Sequence, residues 1–202
     1  MPTKEQTPLR IYLAGPEVFF PNAVEQGEIK KRMCAEFGFE GVYPLDNCID
    51  GAAALSPAEL ARRISLGNEA LMRTCDLIIA NCTPFRSVSM DSGTAFEIGF
   101  MRALERPVLG YSNNAADFAA RVRTVHSNGL HGWDSESAAA DIEDFGLAEN
   151  LMIAVAISES GTPLVMRDVP DSRALSDLDG FCACLEYLRQ RRQKLLSPSQ
   201  TQ

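Results

Sequence analysis

The chain has 202 residues, 46% of them hydrophobic, enough to bury the core of one compact domain. Its formal net charge of −8 argues against a nucleic-acid polymer or an anionic membrane as the main partner. No apolar run reaches the ~18 residues of a membrane span, the N-terminus lacks an apolar leader segment, and the six cysteines form no CxxC pattern and read as reduced thiols, so a soluble cytoplasmic protein is expected.

In chain order, "LRIYLAG" at 9–15 is β-rich and runs into Gly-Pro, a strand followed by a loop. Residues 22–38 carry helical spacing and stop at Gly38, placed as a C′ residue. "EGVYPLDN" offers a short second strand ended by Pro44. A second helix opens at Ser56-Pro57, with Glu59 completing a capping box, and runs to about Thr74. "CDLIIANC" at 75–82 is a continuous apolar strand of the kind buried on both faces. A loop leads to the helix containing "TAFEIGFMRAL", and 106–112 is the fourth strand. A helix near 115–123 precedes the glycine-containing loop "VHSNGLHGW", and 143–160 and 176–196 read as two more helices. The fifth strand falls either near "NGLHGW" or at "PLVMRD", 163–168. Strands alternating with helices predict a parallel sheet covered on both faces, as one domain over 8–196 with tails at 1–7 and 197–202.

Ligands of such sheets bind beyond the carboxyl ends of the strands. Asp91 lies just before its helix, where a carboxylate caps free N–H groups and suits the dipole. Glu97 sits inside that apolar helix with uncharged Met101 at i+4 and Arg102 turned to another face, so no local pair explains it. An unpaired carboxylate in such surroundings is costly, which points to a pocket. Asp76 opens the third strand, where a turn role and a functional role compete. Tyr12 is either a core-edge aromatic or a hydroxyl that orients a carboxylate. His126 and His131 are poorly spaced for a metal, and "AGPE" is neither GxGxxG nor a Walker sequence, so no metal or cofactor is expected.

"IYLAGP", "VYPLDN", "CDLIIAN" and "MDSGTAFEIGFMRALERPVLGYSN" together resemble the nucleoside 2-deoxyribosyltransferase family over roughly residues 9–155. The resemblance implies a flavodoxin-like α/β fold, a five-stranded parallel sheet in a doubly wound sandwich, here with an added C-terminal helix. It implies transfer of 2-deoxyribose between nucleobases through a covalent sugar on a glutamate, the logic of a retaining glycosidase with a base as acceptor. Glu97 becomes the nucleophile, Asp76 the proton donor, and Tyr12 the residue holding Glu97. Asp91, Gly15 and Cys48 become substrate-binding, Cys48 standing where some relatives carry a base-contacting glutamine. Asn150 and Met152 look like residues lent across an interface, which implies a homodimer or higher homo-oligomer with shared sites. Deoxyribonucleosides and free nucleobases are the implied partners.

Two rivals remain. A deoxynucleoside 5′-monophosphate N-glycosidase needs phosphate ligands near the first loop, but "AGPEVFFPNA" has a glutamate and no arginine, and only Arg86 keeps that option open. A non-catalytic nucleotide-binding module would not gather acids around its anion. A flavodoxin-like redox protein lacks its Ser/Thr-rich loop here.

Overall fold

The computed structural model describes residues 7–127 and 141–196. Five strands run β1 (Arg10–Ala14), β2 (Glu40–Val42), β3 (Leu77–Asn81), β4 (Val108–Ser112) and β5 (Leu164–Met166). All pairings are parallel and the order is β2-β1-β3-β4-β5, the doubly wound order of flavodoxin-like sheets. The fifth strand thus lies in "PLVMRD"; the competing position near "NGLHGW", with His131, falls outside the described residues.

The helices are α1 (Ala23–Glu36), α2 (Pro57–Arg73), α3 (Ser92–Ala103), α4 (Phe118–Ser127), α5 (Leu151–Ser158) and α6 (Asp179–Leu196). Every residue of β3 and β4 is buried, as expected of parallel strands covered on both sides. Side-chain alternation divides the core. Ile11, Leu13, Leu77, Ile79, Leu109 and Tyr111 meet α1 and α6 through Cys34, Phe181 and Leu185. Tyr12, Ala14, Ile78, Ala80 and Val108 meet α2, α3 and α5 through Met72, Ile98, Met101 and Ile157. That second face matters most, because it places α3 directly over Tyr12.

Local signals explain most boundaries. Gly38 follows α1 with φ of 81°, the left-handed conformation that ends a helix without a Cβ clash. Ser56 caps α2 by accepting from Glu59 N–H at 3.3 Å, but the Glu59 carboxylate turns to Arg63 at 2.9 Å instead of back to Ser56. The expected capping box is therefore half made. The expected helix over 143–160 is shorter still. Gly146 has φ of 63°, and Asn150 is the N-cap of α5, its Oδ1 accepting from Met152 N–H at 3.0 Å. Residues 143–150 are a loop held by polar contacts. Among the described residues no helix is long and apolar enough to cross a membrane.

Candidate active site

The strand order reverses between β1 and β3, and their carboxyl ends open onto the expected ligand edge. α3 follows β3, so its N-terminus lies at this edge. Asp91 caps it, with Oδ2 accepting from Thr94 N–H at 3.0 Å and from the Thr94 hydroxyl at 3.3 Å. Asp91 Oδ1 makes no hydrogen bond among the described residues. Glu97 lies about one and two-thirds turns further along the helix.

Tyr12 is fully buried in the middle of β1 and donates its hydroxyl hydrogen to Glu97 Oε1 at 2.6 Å. The Glu97 side chain keeps a partial opening to solvent. Burial nevertheless pushes its pKa up to about 7, Tyr12 opposes this by stabilising the anion, and the nearby Asp91 charge adds to the rise. Tyr12 itself is pushed far above the ordinary tyrosine value by burial and by the Glu97 charge. The hydroxyl therefore stays protonated and remains a donor. A carboxylate poised near neutral pH, aimed by a fixed donor and open on one side, suits nucleophilic attack.

Asp76 does not join this group. It precedes β3, at the amino end of the sheet, and its Oδ2 accepts from Arg10 N–H at 2.8 Å while its own N–H donates to Arg10 O at 2.8 Å. These bonds pin β1 to β3 at the edge opposite the α3 N-terminus. In this structure Asp76, the residue expected as proton donor, is engaged in pairing these two strands. Gly15 is buried, and its missing side chain leaves room for its neighbour: a Cβ there would meet Glu17 Oε2 at 2.0 Å. Cys48 is exposed beyond the 3₁₀ turn Pro44–Asp46, and the adjoining Asn47 packs against Gly67 of α2, donating to Ile64 O at 3.3 Å.

Asn150 and Met152 make no hydrogen bond to Tyr12, Asp91 or Glu97 within the chain, among the described residues. The Asn150 amide donates to Glu143 Oε2 at 2.8 Å, and Met152 is 71% exposed. α5 packs beside α3, and their outer faces show Met152, Val155 and Phe96 to solvent.

Three arrangements are visible only in the folded chain. Glu17, in the turn after β1, is 1% exposed and bonds Lys30 of α1, Asn81 Nδ2 at 2.9 Å and the Tyr111 hydroxyl at 3.2 Å. Breaking such a buried pair from one side costs about 3–5 kcal/mol. All three bonds fall on Oε1, and Oε2 is buried without a hydrogen-bond partner among the described residues. The charge is paired with Lys30 inside the protein, so the glutamate of the first loop is no argument against a phosphate. Above it, Phe19 and Phe85 stack at 5.7 Å and 9°, and the Arg86 guanidinium lies 5.0 and 4.6 Å from their ring centres. Asn68 of α2 has a buried Oδ1 without a partner. It lies one turn before Met72, which shares a core cluster with Tyr12.

No group of three or more His, Cys, Asp or Glu side chains among the described residues is arranged to hold a metal. A family model for nucleoside 2-deoxyribosyltransferases matches residues 11–152. The 2-desoxiribosyltransferase from Leishmania mexicana matches with TM-score 0.61 at 29% identity, covering 91% of this chain and 98% of that one. A conserved protein from Enterococcus faecalis V583 matches with TM-score 0.53 at 16% identity, covering 89% and 98%, which is a likeness of fold alone. An uncharacterised protein of Schizosaccharomyces pombe is 37% identical over 116 residues, 56% of this chain and 54% of that protein; the chain thus spans about half the length of this curated relative. The family match runs from the strand bearing Tyr12, through the Glu97 helix, to Met152, and the chain belongs to the nucleoside 2-deoxyribosyltransferase family.

Proposed function

We propose that the protein transfers 2-deoxyribose from one nucleobase to another by a retaining double displacement on Glu97. The observation that carries this reading is the 2.6 Å hydrogen bond from a buried tyrosine to a carboxylate whose pKa lies near 7. In the first step a Glu97 oxygen bonds to C1′ as the C1′–N bond breaks. The electron pair leaves with the base, which takes a proton from water on the base side of the cleft. In the second step a nitrogen of a new base attacks C1′ as the Glu97–C1′ bond breaks and the carboxylate is restored. The new base gives up its own proton to the hydroxide that the first step left in solvent. Two inversions give retention. Asp91 binds a sugar hydroxyl through its free oxygen. Tyr12 holds the Glu97 carboxylate and favours its anionic form.

The working unit in this reading is a dimer built on α3 and α5. Phe96 is 57% and Met152 71% exposed, an apolar face that a second copy covers while bringing Asn150 and Met152 to the sugar. Sedimentation at micromolar concentration decides this: a fully active monomer contradicts it.

One observation favours a second reading, hydrolysis of a deoxynucleoside 5′-monophosphate. Arg86 is exposed and stacked on two rings, and among the described residues it has no acidic partner. The test is to incubate the protein with a deoxynucleoside, or its 5′-monophosphate, and a different free base, and to separate the products by chromatography. A new deoxynucleoside supports transfer. Free sugar or sugar phosphate alone, with the second base unused, overturns it.

A further inference from the structure

The Arg121–Glu149 ion pair lies outside the proposed chemistry, yet it is among the most buried charged pairs of the molecule, with exposures of 7% and 1%. Each partner is heavily bonded. Arg121 Nε donates to Val88 O at 2.7 Å, Nη1 to Ala116 O at 2.7 Å and Ala148 O at 2.8 Å, and Nη2 to Glu149 Oε2 at 2.9 Å. Glu149 Oε1 accepts from the Ser89 hydroxyl at 2.6 Å and Asn150 N–H at 3.0 Å, and Oε2 accepts from Met90 N–H at 3.3 Å. Burying such a pair is rarely a net gain over apolar packing, so its saturation points to a positional task. The segments it joins are specific. Val88, Ser89 and Met90 lead directly into Asp91, and Ala148 and Glu149 lead directly into Asn150.

We infer that Arg121 and Glu149 are positioning residues, which lock a subunit's own Asp91 and the Asn150 segment it offers to a second copy into one rigid unit. This rests on the reading that Asp91 and Asn150 bind the hydroxyls of the deoxyribose. Neither Arg121 nor Glu149 need touch the substrate. Met90 N–H and the Ser89 hydroxyl are both anchored on Glu149, which fixes the strand-to-helix loop and so the direction of the Asp91 carboxylate. The Asn150 N–H anchored on the same carboxylate fixes the start of α5. A shift of either loop is felt at both ends, because the four donors share two oxygens of one side chain.

Positional action of this kind has a signature that plain destabilisation lacks, since it works only through the sugar hydroxyls. The experiment measures kcat/KM for a 2′-deoxynucleoside, its 2′,3′-dideoxy analogue and its 2′,5′-dideoxy analogue. The proteins are the unmodified chain, Glu149→Gln and Ser89→Ala; the last removes one anchor and leaves the buried pair intact. On the 2′-deoxynucleoside, Glu149→Gln should lose at least about tenfold and Ser89→Ala at least about threefold. On at least one analogue, the difference from the unmodified chain should shrink to within about twofold, as in a double-mutant cycle run between enzyme and substrate. If Glu149→Gln does not fold, Ser89→Ala gives the same reading alone. Equal losses on all three substrates, or no loss in a folded variant, overturn the inference. An unmodified chain that treats all three substrates alike instead removes the hydroxyl-binding roles of Asp91 and Asn150, and the inference falls with that reading.

Discussion

Replacing Tyr12 by phenylalanine removes one hydroxyl from a fully buried ring and leaves Glu97 without its donor. A hydrogen bond to a charged group contributes about 1.5–3 kcal/mol, and each pKa unit corresponds to about 1.4 kcal/mol. The Glu97 pKa, pushed up to about 7 with Tyr12 in place, should then rise by about one to two further units. Only the carboxylate attacks C1′, so the rate grows as pH rises through this pKa and is level above it. The acid limb of kcat/KM should therefore move from near pH 7 to about pH 8–9. At pH 7 the variant should be about 5–50-fold slower, and the gap should narrow steadily above pH 9. Initial rates of base exchange between pH 5 and about 10, followed by chromatography, measure this. An acid limb that stays at pH 7 or moves down refutes the assignment of Tyr12 as the group that stabilises the anion. A uniform loss at every pH refutes it as well, because that outcome makes the hydroxyl a packing element only.

Glu97→Gln should abolish exchange and stabilise the fold at alkaline pH. The folded pKa is raised above the ordinary value, so the unfolded chain releases its proton first and stability falls with pH from about 4.5 to about 7, then stays level. The glutamine variant lacks this loss and should gain about 3 kcal/mol above pH 7 and nothing below about pH 4; denaturant midpoints that differ equally at both pH values contradict it. Asp76→Asn should keep kcat/KM within about threefold and lose about 1 kcal/mol of stability, because the amide oxygen still accepts from Arg10 N–H. A loss of activity of a hundredfold with stability unchanged restores Asp76 to the chemistry.

The sheet was legible because parallel strands buried on both faces leave continuous apolar runs, as in "LIIA" of β3 and "VLGY" of β4. The Tyr12–Glu97 contact is legible only in part: the residues themselves call for a partner to Glu97, and the resemblance names Tyr12. A charge in an apolar helix needs a partner, and a strand-borne hydroxyl on the face beneath supplies it. The proton-donor role of Asp76 rests on the resemblance alone. The pairing of parallel strands places a residue just before β3 at the amino edge, whatever its chemistry. The expected helix over 143–160 is longer than α5 because Leu147 and Ala148 continue its apolar pattern backwards, while Gly146 and Asn150 hold the stop and the cap. The Glu17–Lys30 and Arg121–Glu149 pairs obey no periodic rule. Their partners meet across a turn or between separate elements, and only the folded chain brings them together.

The central claim is a covalent bond between Glu97 and the anomeric carbon. A 2′-deoxy-2′-fluoroarabinonucleoside slows both displacements by destabilising the cationic transition state, and a sugar bonded to the enzyme accumulates if release is the slower step. Mass spectrometry of the proteolysed protein should then find one fluorosugar on the peptide containing Glu97, and addition of a free base should release it. An adduct on another residue, or none while the same sample still exchanges bases on ordinary deoxynucleosides, contradicts the account.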